Sequence, residues 1–128
     1  MCFSCPVSTY SPVSSSSSCL PCPGNMISGS PSCLTCNEGS YQAVDGCRSC
    51  LPGEYSSTKN SPSCSVCPAG KYSSTASSIC SPCSSGRYTS TTNSSTCYPC
   101  PVGTKSDSDQ GSTSCIQCDP GYYSSKQG

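Results

Sequence analysis

The sequence predicts a small disulfide-rich fold, an elongated array of about eight short β-hairpin repeats with little regular secondary structure and no helix. Two observations support this prediction. The 128 residues include 16 cysteines, a share above that of ordinary domains, but only 12 residues of Leu, Ile, Val and Phe. So few apolar side chains cannot form a conventional core. We therefore expect cross-links to replace apolar packing, as in small secreted scaffolds.

Every cysteine belongs to a C-x-x-C pair, and these pairs divide the chain into repeats. The pairs begin at residues 2, 19, 33, 47, 64, 80, 97 and 115, so successive pairs start 14 to 18 residues apart. A nearly regular spacing of this kind is the signature of a repeat architecture. We predict one continuous array over residues 1–128, with the last repeat truncated.

A short pattern, C-x-x-C-P-x-G-x-Y, recurs after the pairs. Glycine stands three residues after the second cysteine in six repeats, and tyrosine stands five residues after it in six. Glycine supplies the positive φ that tight turns need, and alternation such as that in residues 71–75 suits a short strand with its tyrosine ring turned inward. The repeats after Cys22 and Cys100 carry Ile27 and Lys105 instead of tyrosine, so we expect looser hairpins there.

The cysteine pairs allow three chemical interpretations. Disulfides are one, and four tetrahedral zinc sites with four thiolates each are another, because C-x-x-C pairs are common in zinc modules. The third, a thioredoxin-type redox motif, needs a β-α-β pattern that the sequence does not show. The chain has no histidine, only 9% charged residues and a third of its residues as Ser or Thr. This composition favours disulfides in an oxidising compartment, and no cofactor or metal is predicted.

The regular spacing favours a bond that recurs in every repeat. We hypothesise that the second cysteine of each pair bonds the first cysteine of the next, closing one hairpin and constraining the unfolded chain by about 3 kcal/mol. The predicted bonds are Cys5 to Cys19, Cys22 to Cys33, Cys36 to Cys47, Cys50 to Cys64, Cys67 to Cys80, Cys83 to Cys97 and Cys100 to Cys115.

This pairing leaves Cys2 and Cys118 to form bonds between segments. A second copy joined after Gly128 would place its first cysteine 15 residues beyond Cys115, within the observed range. We therefore expect a continuing array or a head-to-tail contact between subunits. Cys2 follows Met1 at once, with no secretory leader before it, so we expect a mature form or an excerpt from a longer precursor.

At the level of these motifs the sequence resembles the ephrin-receptor-like cysteine-rich repeats of extracellular proteins, including surface proteins of protists. The segment from Cys67 through Tyr72 to Cys80 is also similar to the loop that opens some TNF-receptor modules. In that family the matching cysteines are joined, which implies a bond between Cys67 and Cys80. The resemblance implies an extracellular fold and leaves the activity open. The pattern is broken at Ser8, Ile27 and Lys105.

Composition and charge disfavour several functions. Without histidine, acid and base catalysis would depend on paired carboxylates, and the one close pair, Asp107 and Asp109, lies in a polar loop, so we predict that the chain is not an enzyme. Zero net charge without a basic cluster disfavours nucleic acid, and no apolar run is long enough for membrane insertion. The sequence Asn93-Ser94-Ser95 is the sole N-glycosylation motif, so Asn93 is the predicted glycan site.

We interpret the chain as an extracellular structural glycoprotein, a disulfide-stapled repeat rod that acts as a stalk, surface coat or filament component at the cell surface. The alternative is a ligand-binding receptor or adhesin ectodomain, which normally shows clustered apolar anchors. The non-consensus candidates, Phe3, Met26 with Ile27, Tyr98 and Tyr122, are scattered along the chain. The expected partners are copies of the chain or adjoining repeats head to tail, with glycans and other surface proteins.

Overall fold

The structure is a computed structural model, and it describes residues 5, 9–11, 18–21, 35–43, 46–125 and 127. Within these residues, twelve short strands form six separate two-stranded antiparallel sheets and there is no helix, which confirms the predicted fold class. Accordingly, the described part contains no helical segment with the length and apolarity to cross a membrane. The paired strands are β1 (Thr9–Tyr10) with β2 (Leu20–Pro21), β3 (Ser40–Ala43) with β4 (Gly46–Ser49), β5 (Glu54–Tyr55) with β6 (Ser65–Val66), β7 (Lys71–Tyr72) with β8 (Ser81–Pro82), β9 (Arg87–Tyr88) with β10 (Tyr98–Pro99), and β11 (Thr104–Ser106) with β12 (Cys115–Gln117).

A four-residue turn precedes the first strand in five of these hairpins, and the turn over residues 51–54 shows why the sequence adopts it. The N–H of Glu54 donates to the carbonyl of Leu51 over 2.9 Å. Pro52 supplies a fixed φ at the second position, and Gly53 takes a φ of 90° at the third. This is the residue preference of a type II turn, whose third position requires a positive φ. The predicted glycine turns are therefore present.

The number of paired residues varies from one hairpin to the next. Strands β3 and β4 pair over four residues, the longest ladder described. Strands β11 and β12 pair over three residues, whereas the other four hairpins pair over two, so the prediction of a looser hairpin after Cys100 is wrong. A β-ladder uses backbone groups, which Lys105 supplies as well as a tyrosine would. The hairpin predicted after Cys22 lies outside the described residues.

Cysteines and hydroxyl residues form the interior. The only buried apolar residues in the described part are six cysteines, Cys36, Cys50, Cys67, Cys83, Cys97 and Cys100. The buried polar residues are Ser56, Ser61, Ser73, Thr89, Ser94 and Ser112. Large aliphatic side chains lie outside, as with Leu51 at 63% exposed and Ile79 at 66%. The expectation that cross-links stand where an apolar core would be therefore matches the observed interior.

The consensus tyrosines are only partly turned inward. Tyr41 and Tyr72 are half-buried, and each forms a β-bridge with a serine of the next hairpin, Ser61 or Ser94. Tyr123 occupies the same position in its repeat but is 87% exposed, so the predicted inward ring is wrong there. No described hairpin packs against the ring of Tyr123.

Candidate functional site

The interface between successive hairpins is the candidate functional site, because the cysteines, turn glycines and buried hydroxyls of the repeat all meet there. We name each hairpin by the second cysteine of the pair that precedes it. The Cys36 hairpin, for example, contains β3 and β4. The five hairpins from Cys36 to Cys100 are described almost without gaps.

The structure brings together six of the seven cysteine pairs that the spacing predicts. Each bond joins the second cysteine of one pair to the first cysteine of the next, with Cα atoms 5.4 to 5.7 Å apart, which is the usual range for a disulfide. Cys22, Cys33 and Cys2 lie outside the described residues. Cys118 is half-buried and has no described partner. The six bonds are Cys5–Cys19, Cys36–Cys47, Cys50–Cys64, Cys67–Cys80, Cys83–Cys97 and Cys100–Cys115.

Hydrogen bonds join the turn glycines to the following repeat, and all but one of those described use backbone atoms alone. The glycine N–H donates to the carbonyl six residues after the next hairpin's naming cysteine, as from Gly39 to Ser56 over 2.8 Å and from Gly70 to Thr89 over 2.8 Å. In the Cys83 hairpin the acceptor is instead the hydroxyl oxygen of Ser106, 3.0 Å from the N–H of Gly86. Because most of these contacts use backbone atoms, the interface does not depend on particular side chains.

A loop residue in left-handed conformation forms a second backbone hydrogen bond between neighbouring hairpins. Its N–H donates over 2.8 to 2.9 Å to the carbonyl of the cysteine that names the previous hairpin. Asn60 adds a further bond, because its side-chain oxygen accepts the N–H of Cys36 at 2.8 Å. We call these residues the left-handed loop residues. They are Asn60, Ala76, Asn93 and Gly111, with φ of 58°, 59°, 59° and 71°.

The same loop residues reach the hairpin two places back. A methyl group built on Gly39 would overlap the carbonyl of Ala76, and one on Gly70 would overlap the carbonyl of Gly111. Gly53 faces the carbonyl and the side-chain oxygen of Asn93 in the same way. Each of these glycines also has a positive φ, so both the backbone conformation and the close carbonyl require glycine there. The Cys36, Cys50 and Cys67 hairpins therefore each contact both the next hairpin and the one after it.

Buried hydroxyls lie inside the loops of the Cys50 and Cys83 hairpins. The hydroxyl of Thr89 is 2.6 Å from that of Ser94, which also donates to the carbonyl of Thr91 over 2.9 Å. The equivalent residues of the Cys50 hairpin, Ser56 and Ser61, repeat this arrangement at 2.7 Å. Buried hydroxyls with partners avoid the free-energy cost of unpaired polar groups. Ser and Thr thus replace the apolar side chains of an ordinary core.

Three exposed charged groups form hydrogen bonds in the last part of the described array. Lys105 forms an exposed ion pair with Asp119 at 2.5 Å, and the hydrogen bond to that carboxylate, with its charge, raises the pKa of Lys105. The hydroxyl of Ser114 donates to Asp107 over 2.8 Å, and this bond is the main cause of a lowered pKa at Asp107. Asp107 and Asp109 are both exposed. The one close carboxylate pair of the sequence therefore lies on the surface, with Asp107 bonded to its own loop.

The predicted glycan site, Asn93, lies in an exposed loop and is itself one of the left-handed loop residues. Its backbone N–H is bonded to Cys67 over 2.8 Å, and Ser94 is buried. Ser95, which completes the glycosylation motif, is exposed. The backbone of Asn93 thus belongs to the interface.

An open groove of about 490 Å³ lies between the Cys36 and Cys50 hairpins. Tyr41, Leu51, Arg48 and Glu54 are among the residues that line it. The carboxylate of Glu54 accepts the N–H of Leu51 over 3.3 Å, so that charge is engaged in the turn. Across the described residues, no three His, Cys, Asp or Glu side chains come together where they could hold a metal ion.

The left-handed loop residues and the contact two hairpins away were not predicted from the sequence. A partial signal exists, because Asn or Gly stands ten or eleven residues after the naming cysteine at Asn60, Asn93 and Gly111. These residue types tolerate a left-handed backbone best. Ala76 gives no such signal, and the spacing of the cysteine pairs does not indicate the contact between hairpins two apart.

The repeat chemistry agrees with comparisons to known proteins. Residues 1–31 and 70–114, together more than half of the chain, match the family described as tyrosine-protein kinase ephrin type A/B receptor-like. The match covers cysteine-rich repeats, and no catalytic domain is matched. A search of curated proteins returned no match. Repeats of this family with many disulfides indicate a secretory or extracellular location. The chain belongs to the ephrin-receptor-like family of cysteine-rich repeats.

Proposed function

We propose that the chain is an extracellular structural protein, a disulfide-linked repeat rod that serves as a stalk, surface coat or filament component. One observation carries this proposal. Each described disulfide joins the end of one C-x-x-C pair to the start of the next, so the shortest covalent path bypasses every loop. Tension applied along the chain passes through sulfur bridges and the short C-x-x-C segments.

The geometry gives the length of this covalent path between Cys36 and Cys118. Five disulfides with Cα atoms 5.4 to 5.7 Å apart alternate there with five C-x-x-C segments. At about 3.5 Å per extended residue, that path spans about 80 Å when oxidised, whereas the same stretch spans about 290 Å when every loop is free. The chain therefore resists extension without needing a large folding free energy.

Single-molecule force spectroscopy on the full chain, with handles at its two ends, tests the mechanical part. We expect a short contour length under oxidising conditions that increases about threefold when a reductant is added. Full extension before reduction would overturn the proposal. Immunogold labelling of the cells that make the chain tests the location, and we expect label on an external coat, stalk or filament.

The groove between the Cys36 and Cys50 hairpins is the feature that favours a receptor or adhesin as a second candidate. Tyr41 and Leu51 offer apolar surface, and Arg48 also lines the groove. A protein ligand that binds there would lose affinity when Leu51, which is 63% exposed, is changed to Asp. If the L51D variant still binds its protein ligand with unchanged affinity, this candidate is removed.

A further inference from the structure

The predicted glycan acceptor Asn93 contacts two earlier hairpins at once. Its N–H donates to the carbonyl of Cys67 over 2.8 Å. A methyl group built on Gly53, in the Cys50 hairpin, would lie only 2.6 Å from the side-chain oxygen of Asn93. The loop of the Cys83 hairpin that carries Asn93 therefore packs on both the Cys67 and the Cys50 hairpins. We call the hairpin docked when these contacts are formed.

Ser94, the middle residue of the glycosylation motif, is held more closely still. It is only 9% exposed, and its carbonyl accepts the N–H of Ser73 over 3.2 Å. A parallel β-bridge also joins it to Tyr72. Its hydroxyl lies 2.6 Å from that of Thr89 and donates to the carbonyl of Thr91 over 2.9 Å. The backbone of the motif is thus part of the interface with the Cys67 hairpin.

The chemistry of glycan transfer requires the motif to leave these contacts. The side-chain amide nitrogen of the asparagine displaces a lipid pyrophosphate from the anomeric carbon of an oligosaccharide. A C–N bond forms, the C–O bond to the pyrophosphate breaks, and one amide proton is released to solvent. The transferase must hold the asparagine and the hydroxyl two residues further on in its own site. The motif cannot enter that site while Asn93 and Ser94 are bonded to Cys67 and Ser73.

We propose that Asn93 accepts a glycan only until the Cys83 hairpin docks, so that docking and glycan transfer compete for the same backbone. Synthesis proceeds from the amino terminus, so the Cys50 and Cys67 hairpins are already made when residues 83–97 emerge. Asn93 is exposed in the docked hairpin, so a glycan attached earlier can extend into solvent. Glycan occupancy then depends on the rate of transfer relative to the rate of docking. The inference does not depend on the proposed rod function.

Gly53 allows docking to be weakened at a residue outside the motif. Gly53→Ala adds a methyl group that overlaps the carbonyl of Asn93, so the acceptor loop should open more often. Gly103→Ala is the matched control, because Gly103 has a φ of 81° against 90° at Gly53 and a methyl group built on it meets nothing within 4 Å. Both variants carry the strain of a left-handed alanine, but only Gly53→Ala touches the acceptor loop.

The test measures the rate of glycan transfer to the purified 128-residue protein, made without glycans. A solubilised eukaryotic oligosaccharyltransferase is used, with a dolichol-pyrophosphate oligosaccharide as the donor. The acceptors are the oxidised protein, the same protein reduced and alkylated, and the two oxidised alanine variants. Occupancy of Asn93 is read by mass spectrometry of peptides. Non-reducing peptide mapping first establishes that each oxidised sample contains the bonds Cys67–Cys80 and Cys83–Cys97.

A second control separates local docking from a general effect of folding. The double variant Ser95→Ala, Tyr123→Asn removes the natural motif and places the same tripeptide, Asn-Ser-Ser, at residues 123–125. Residue 123 is 87% exposed, and no described hairpin packs against it. The oxidised and reduced forms of this variant should therefore accept the glycan at similar rates.

We expect the reduced unmodified sequence to accept the glycan at least about tenfold faster than the oxidised form. Gly53→Ala should raise the rate of the oxidised protein about tenfold, and Gly103→Ala should leave it within about twofold. Equal rates for the oxidised and reduced unmodified sequence, or for the two alanine variants, would overturn the inference. So would no transfer to the reduced chain, or an equally large effect of reduction on the motif at residues 123–125.

Discussion

The turn glycine Gly39 lies directly beneath the backbone carbonyl of Ala76, a residue of the second hairpin further along the chain. The pairs Gly53 with Asn93 and Gly70 with Gly111 repeat this relationship. A repeat array is usually held by contacts between nearest neighbours. Here the Cys36, Cys50 and Cys67 hairpins each also contact the hairpin two places along, so opening one of them disturbs two interfaces.

The close approach of Gly70 to the carbonyl of Gly111 predicts that an alanine substitution lowers the free energy of unfolding more at Gly70 than at Gly103. Gly103→Ala should cost about 1 kcal/mol of unfolding free energy, the strain of a left-handed alanine. Gly70→Ala should cost about 1 to 3 kcal/mol more, because the new methyl group overlaps the carbonyl of Gly111 and the backbone must shift. Guanidinium unfolding at low protein concentration, with disulfides intact, measures both. Equal costs would show that the contact does not exist.

The hydroxyl interior predicts that removing a buried oxygen is costly even when shape is kept. Thr89→Val preserves the side-chain volume but removes the 2.6 Å contact with Ser94 at a residue that is 1% exposed. We expect a loss of about 1 to 2 kcal/mol. Thr92→Val, at an exposed residue, is the control and should change stability by less than about 0.5 kcal/mol. A stabilising effect of Thr89→Val would mean that an apolar interior suits this fold better.

The lowered pKa of Asp107 predicts how its loop responds to acid. The folded protein favours the carboxylate, so the contribution of Asp107 to stability is present above its ordinary pKa and is lost as the pH falls through the lower folded pKa. Ser114→Ala removes the main hydrogen bond and should raise the pKa of Asp107 toward its ordinary value. A carboxyl titration by NMR measures this. An unchanged pKa in the variant would assign the shift to another cause.

The exposed position of Ser95 allows the predicted glycan at Asn93 to be tested without disturbing the left-handed backbone there. The chain expressed through a eukaryotic secretory pathway should lose mass on treatment with an N-glycosidase. Ser95→Ala should abolish the glycan, whereas Ser95→Thr keeps the motif and should retain it. No mass change in the unmodified sequence would rule out glycosylation in that host.

The sequence predicted the covalent and local structure better than the packing. Cysteine spacing and the turn glycines indicated the hairpins and the pairings seen at the described cysteines, because both depend on short stretches of chain. The sequence did not predict the place of Ala76 over Gly39, since that contact depends on how one hairpin is oriented on the next. The three-residue ladder at Lys105 differs from expectation because backbone pairing does not require a tyrosine side chain. Tyr123 differs in being exposed, with no described hairpin packed against its ring.

Hydrogen exchange before and after reduction tests most directly whether sulfur bridges replace an apolar core. The amides of Cys50, Cys67 and Cys83 are suitable probes, because each donates to a turn-glycine carbonyl over 2.8 to 2.9 Å. Each bridge contributes about 3 kcal/mol, and a whole domain is stable by only about 5 to 15 kcal/mol. We therefore predict that these amides lose their protection in reductant alone, without denaturant. Protection that survives full reduction would contradict the account, since packing would then suffice to hold the fold.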